Sequence, residues 1–110
     1  MYTLYVQYSL EWDENKKQSN YSKHGLNFED ASLVFQNHLE TITLIDRRKN
    51  YGEERYITFG KLDGELIVLV HTFRENAIRI ISMRKANERE KESYYKKRHE
   101  ADQEYDGRRH

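Results

Sequence analysis

Apolar and polar positions change period several times along this chain, and each change marks an element. YTLYVQYSL, residues 2–10, alternates with Leu4 and Val6 on one side and predicts a first strand. Asp13 suits the N-cap of a helix over about residues 14–24, and Gly25 stands where a left-handed C-terminal residue belongs. Asn27 and Asp30 have capping-box spacing before a short helix through about Gln36, with Phe28, Ala31, Ser32 and Phe35 in one stripe. Strand-like runs return at about 40–46, 54–60, 65–73 and 77–84. Asn87 and Glu90 make a last capping pair for a helix through about His99. The charged tail, residues 99–110, has nothing to bury and is expected to fray away from a single domain over residues 1–98.

This order predicts an α+β fold, with a mostly antiparallel sheet of four to five strands, two N-terminal helices and one C-terminal helix. Asp63-Gly64 suits a two-residue type I′ turn, and Glu75-Asn76 is read as the next two-residue loop. Counting outward, Leu62 faces Glu65, Tyr56 faces His71, and Arg55, Thr72 and Arg79 form one row across three strands. The next rows are then Ile57, Val70 and Ile81, followed by Phe59, Val68 and Met83, with Ser82 and Arg84 on the opposite face. The arginines inside the apolar run 77–84 thereby cap the end of an apolar face instead of puncturing its middle.

Composition limits what such a domain can be. Only 36% of the 110 residues are hydrophobic and 35% are charged, so the core must be thin. Nine tyrosines argue against disorder, because each can bury a ring and keep its hydroxyl wet. The 19 basic and 19 acidic residues cancel, against a general nucleic-acid coat, yet RRK at 47–49 and YYKKRH at 94–99 leave room for a local basic site. The chain has no cysteine, and no apolar run approaches the roughly 20 residues of a membrane span. A soluble, cytoplasmic protein without membrane contact is expected.

Candidate chemistry falls in three places. In WDENKKQSNYSKHG, Lys16, Asn20 and His24 recur every fourth residue with Lys23 beside them, so this helix can line a polar site or face solvent. Arg55 and Arg79 either hold a phosphate between them or pair with Glu53, Glu54 or Asp46. His71, at a strand end, is either a proton carrier or a hydrogen-bonded filler. The last helix is polar almost all round, so Tyr94 and Tyr95 are candidate partner-binding anchors. No metal-ligand spacing, glycine-rich phosphate loop or nucleophile elbow is present, and no cofactor is expected.

Several separated blocks resemble one family. LEWDENKKQSNYSKHGLNFEDASLVF, GEERYITFG, LIVLVHT and IRIISMRKANEREKESY, spanning about residues 10 to 95, look like the BrnT toxins of bacterial type II toxin–antitoxin systems. Residues 1–9 and the tail past Arg98 depart from that pattern. The resemblance implies a RelE-like ribonuclease fold, metal-independent RNA cleavage and blocked translation. It also implies a cognate ribbon-helix-helix antitoxin, joined with the toxin in a dimer of heterodimers, that carries the DNA contact. On that basis Arg79 and Arg55 are expected at the phosphate, Lys16 as a further cation, His24 or His71 as proton carrier, and Lys23, Ser82 and Arg84 along the RNA. The resemblance supports each of these positions except His71, where family members vary. The competing expectation is a non-catalytic module, or a degenerate toxin, that only engages an antitoxin-like partner.

Overall fold

The computed structural model describes the backbone of residues 9–48 and 50–107, and side chains as far as Ala101. Most of the expected first strand, with Leu4 and Val6, lies outside the described residues. The elements run β1 (Ser9–Trp12), α1 (Glu14–His24), α2 (Ala31–Gln36), β2 (Ile42–Asp46), β3 (Arg55–Leu62), β4 (Glu65–Arg74), β5 (Ala77–Lys85) and α3 (Glu88–Gly107). Five strands form one sheet in the order β1-β5-β4-β3-β2, antiparallel except for the parallel pair β1–β5.

The caps account for where α1 and α3 begin. Asp13 accepts hydrogen bonds from the backbone N–H groups of Asn15 and Lys16, and Gly25 ends α1 at φ 72°. At α3, the Glu90 carboxylate accepts the Asn87 N–H at 2.9 Å while the Asn87 side chain accepts the Glu90 N–H at 2.8 Å, a reciprocal capping box. The box expected at Asn27 does not form. Asn27 makes no side-chain cap, and Phe28–Asp30 is a single 3-10 turn leading into α2. Val34, not Ser32, completes the buried stripe with Phe28, Ala31 and Phe35. α3 extends past its expected end near His99, to Gly107, and no proline or glycine interrupts it earlier.

Central β4 is buried on both faces, and each face carries its own core. Toward α1 and α2, Phe28, Val34 and Phe35 pack on Ile67, Leu69, Ile78, Ile80 and Met83. Toward α3, Leu66 and Val68 pack with Ala86 and Tyr94. Both two-residue turns occur as expected: Leu62 faces Glu65 across Asp63 (φ 51°) and Gly64 (φ 80°), and Arg74 faces Ala77.

The register then departs from the even count. Thr72 faces Arg79 and His71 faces Ile80, but Val70 faces Ser82, leaving Ile81 unmatched in a β-bulge. Ile57, Val70 and Ser82 therefore form one row and Phe59, Val68 and Arg84 the next. Met83 turns into the opposite core beside Leu69. The expected rows through Ile81 and Met83, and the placing of Ser82 and Arg84 on the other face, are corrected by this one extra residue.

Candidate functional site

Because of the bulge, Arg79, Ser82 and Arg84 follow one another along the α3-side face of β5. Arg55 stands on β3 one residue beyond the Tyr56–His71 match, toward the end of the sheet where Thr72 faces Arg79. The result is a half-open sheet surface with Ile57, Val68 and Val70 as its floor and arginines around it.

Each arginine already has an acid. Arg79 donates to Glu11 at 2.9 Å from the neighbouring strand β1. Arg55 lies 3.3 Å from Glu53 and stacks over the Tyr51 ring at 4.0 Å, while Arg74 reaches the same Glu53 at 3.9 Å. Arg84 forks onto Glu90 at 2.8 and 2.7 Å. Arg48, on the loop after β2, forks onto the fully buried Asp46 carboxylate, giving it Nε and Nη2 at 2.8 Å each. That hydrogen bond, set against burial, holds the Asp46 carboxyl well below the usual range.

Ion pairing does not close the surface. A cavity of about 230 Å3 opens between Arg48 and Arg84, over Ile57, Phe59, Val68 and Val70, with Ser82 and Glu90 in its wall. The hydrogen bond to Glu90 raises the Arg84 pKa, and the one from Arg84 lowers that of Glu90, so both stay charged at neutral pH. A guanidinium has five N–H donors. Arg48 uses Nε and Nη2 on Asp46 and keeps Nη1 for another acceptor.

A second, more open cavity of about 320 Å3 lies where α1 meets β5. Lys16, Lys23 and His24 line it together with Asn15, Ser19, Asn20, Ile81 and Ser82. Here β1 has ended, and among the described residues β5 runs on without a strand neighbour on that side. The buried Asn20 amide takes the place of one, hydrogen-bonding both the N–H and the carbonyl of Met83. Ser82 lines both cavities, so they adjoin at that residue; the pair, from α1 to Arg84 and Arg48, is termed the trough.

Of the expected site residues, the trough gathers Lys16, Lys23, His24, Ser82 and Arg84. Arg55 and Arg79 stand beyond it and line neither cavity. His71 is elsewhere. It is 1% exposed on the α2 side, edge-on to Phe35, with Nε2 2.7 Å from the Thr58 hydroxyl. Burial lowers its pKa to about 4, so the ring is neutral and enclosed, the geometry of the filler and not of a proton carrier. Tyr94 is likewise a core residue, its hydroxyl donating to the Glu40 carbonyl, whereas Tyr95 is exposed and takes a hydrogen bond from Lys61. Arg48 and Asn20 were the residues sequence reasoning undervalued: one stood in the RRK cluster, the other in the Lys16–His24 spacing. Among the described residues, no three His, Asp or Glu side chains are grouped to hold a metal ion.

These features define a small α+β domain with two cation-lined cavities that adjoin at Ser82 on β5. Residues 12–90 match the family described as "Ribonuclease toxin, BrnT, of type II toxin-antitoxin system". The chain belongs to this BrnT toxin family, and its family is thus one of ribonucleases paired with an antitoxin. No curated protein matches the chain. No helix among the described residues is long and apolar enough to cross a membrane.

Proposed function

We propose that this chain is a metal-independent endoribonuclease toxin that arrests translation by cutting RNA bound along the trough. The observation that carries this reading is Ser82, which belongs to both cavities and so joins the Lys16, Lys23 and His24 pocket to the arginine cleft. A single strand needs cations at successive phosphates and an open apolar floor against which a base can rest.

In the proposed reaction the RNA 2′-hydroxyl attacks its own phosphorus and the bond to the 5′-oxygen breaks. The products are a 2′,3′-cyclic phosphate and a free 5′-hydroxyl. Arg84 and Arg48 flank the phosphate and stabilise the charge that builds on its equatorial oxygens. Lys16 and Lys23 hold the adjoining backbone, and the exposed His24 carries a proton. Arg55 and Arg79 extend the cationic surface beyond the trough, released from Glu53 and Glu11 as RNA arrives. The partner is a ribbon-helix-helix antitoxin in a dimer of heterodimers that carries the operator contact, and the setting is cytoplasmic.

The five arginine–carboxylate pairs also favour a second reading, a non-catalytic module whose arginines exchange their own acids for a partner's. Incubating the purified, partner-free chain with RNA in EDTA separates the two. The nuclease reading expects fragments ending in 2′,3′-cyclic phosphate. Intact RNA supports the binding module, and fragments with 3′-hydroxyl ends rule out attack by the 2′-hydroxyl.

A further inference from the structure

On the far side of Glu90 from the arginine cleft, β2 and α3 diverge and leave a groove of about 260 Å3. Its floor is apolar, made by Ile42, Leu44, Phe59 and the Tyr94 ring. Its α3 wall is cationic. Arg89, Ser93 and Lys97 recur every fourth residue and so form one stripe along the helix. Neither Arg89 nor Lys97 has a carboxylate partner among the described side chains, unlike Arg84, whose Glu90 lies between the two sites.

The groove runs beside an unprotected edge. Among the described residues β2 pairs with β3 alone and ends the sheet, so the outward N–H and C=O groups of the strand have no strand partner there. Edge strands are usually blunted by lysine, proline or a bulge. Ile42-Thr43-Leu44-Ile45 has none of these, and Leu44 is 42% exposed. An apolar floor, an unpaired cationic wall and an open strand edge lie side by side.

From this we infer that the β2 edge and the β2–α3 groove take an extended, acidic segment of a protein partner. The segment adds as a sixth strand, sets alternate apolar side chains on Leu44 and Phe59, and places carboxylates against Arg89 and Lys97. Main-chain bonds to β2 supply the affinity, and the two cations select an acidic partner over a basic one. Given the proposed function, that partner is the antitoxin, held next to the cleft without occupying it.

An NMR titration of the 15N-labelled chain tests this without reading nuclease activity. The probe is a nine-residue peptide with Leu, Val and Ile at alternate positions between Glu and Asp residues; the control replaces the acids with Lys. Saturable shifts should concentrate at Ile42–Asp46 and on the α3 stripe, with the control binding at least tenfold more weakly. The charge-reversed variant Arg89→Glu/Lys97→Glu should invert that preference. Absent shifts, shifts centred on Arg48 and Arg84, or an unchanged preference in the variant would overturn the inference. So would sedimentation showing that the groove is already covered by a second copy of the chain. Failure of RNA cleavage alone leaves these readouts intact and strikes only the proposed function.

Discussion

Asn20 holds Met83 by both of its backbone polar groups: its amide donates to the Met83 carbonyl at 2.8 Å and accepts the Met83 N–H at 3.1 Å. A side chain from α1 thus does for β5 what a sixth strand would do, just past the bulge at Ile81. The clamp fixes α1, and with it Lys16, Lys23 and His24, against Ser82. Asn20→Leu leaves two buried backbone groups without partners, at a cost of about 2–4 kcal/mol. Urea denaturation of the variant checks the loss, and an unchanged midpoint would mean that water or another group satisfies Met83.

Gly60 is needed for contact rather than for its φ. A Cβ there would lie 2.6 Å from Val34 Cγ1 and 3.1 Å from Thr41 Cγ2. Gly60→Ala should therefore destabilise by about 1–3 kcal/mol through overpacking of α2 on β3. Val34→Ala opens the space the new methyl needs, so the double variant should lose less than the sum of the two singles. Simple additivity in a thermal-melt cycle would show that the layers separate freely.

His71 makes stability depend on pH in a definite window. Its folded pKa is lowered to about 4 by burial, against an ordinary value of 6.5, so the unfolded chain binds more protons between those values. Stability is complete above pH 6.5 and falls as pH drops toward 4, by at most about 3 kcal/mol at 1.36 kcal/mol per unit. Asp46, Glu90 and Glu29 have lowered pKa values, so what they lose comes below the ordinary carboxylate range. Melting curves from pH 7 to 5 should flatten in His71→Gln; a slope equal to the parent's would assign the titration to another group.

Much of the architecture could be read from local signals because those signals are self-contained. The Asp13 and Gly25 caps, the Asn87–Glu90 box and the Asp63-Gly64 turn each depend on a few adjacent residues, and each forms as expected. The bulge at Ile81 has no such signature. It arises where β1 ends and Asn20 takes over the pairing, a tertiary event that an even count of residues cannot anticipate. That single displacement moved Ser82 and Arg84 onto the arginine face, and it is why the trough was only partly visible in the sequence. Arg48 was hidden for another reason: a charge cluster on a loop gives no hint of the cleft it borders. His71 stood out by residue type, but burial decides its chemistry, and burial comes from Phe35, Tyr56 and Phe73 packed around it.

Lys16 and Lys23 are exposed on α1, so replacing them changes the trough and not the core. Each phosphate contact on a single strand contributes about 0.7 to the slope of log affinity against log salt. Lys16→Ala and Lys23→Ala should each lower that slope by about this amount in RNA-binding titrations. A slope that stays at the parent's value in both variants would place the RNA elsewhere.

The arginine cleft is tested most directly by removing its guanidinium without stranding a charge. Arg84→Met combined with Glu90→Gln neutralises both partners of the pair, and Gln at position 90 preserves the capping box with Asn87. The measurement is the single-turnover rate of RNA cleavage by this double variant, alongside its melting temperature. With Arg84 bearing on the scissile phosphate, the rate should fall by about 100-fold or more while the fold persists. Cleavage at the parent's rate by a folded double variant would contradict the account.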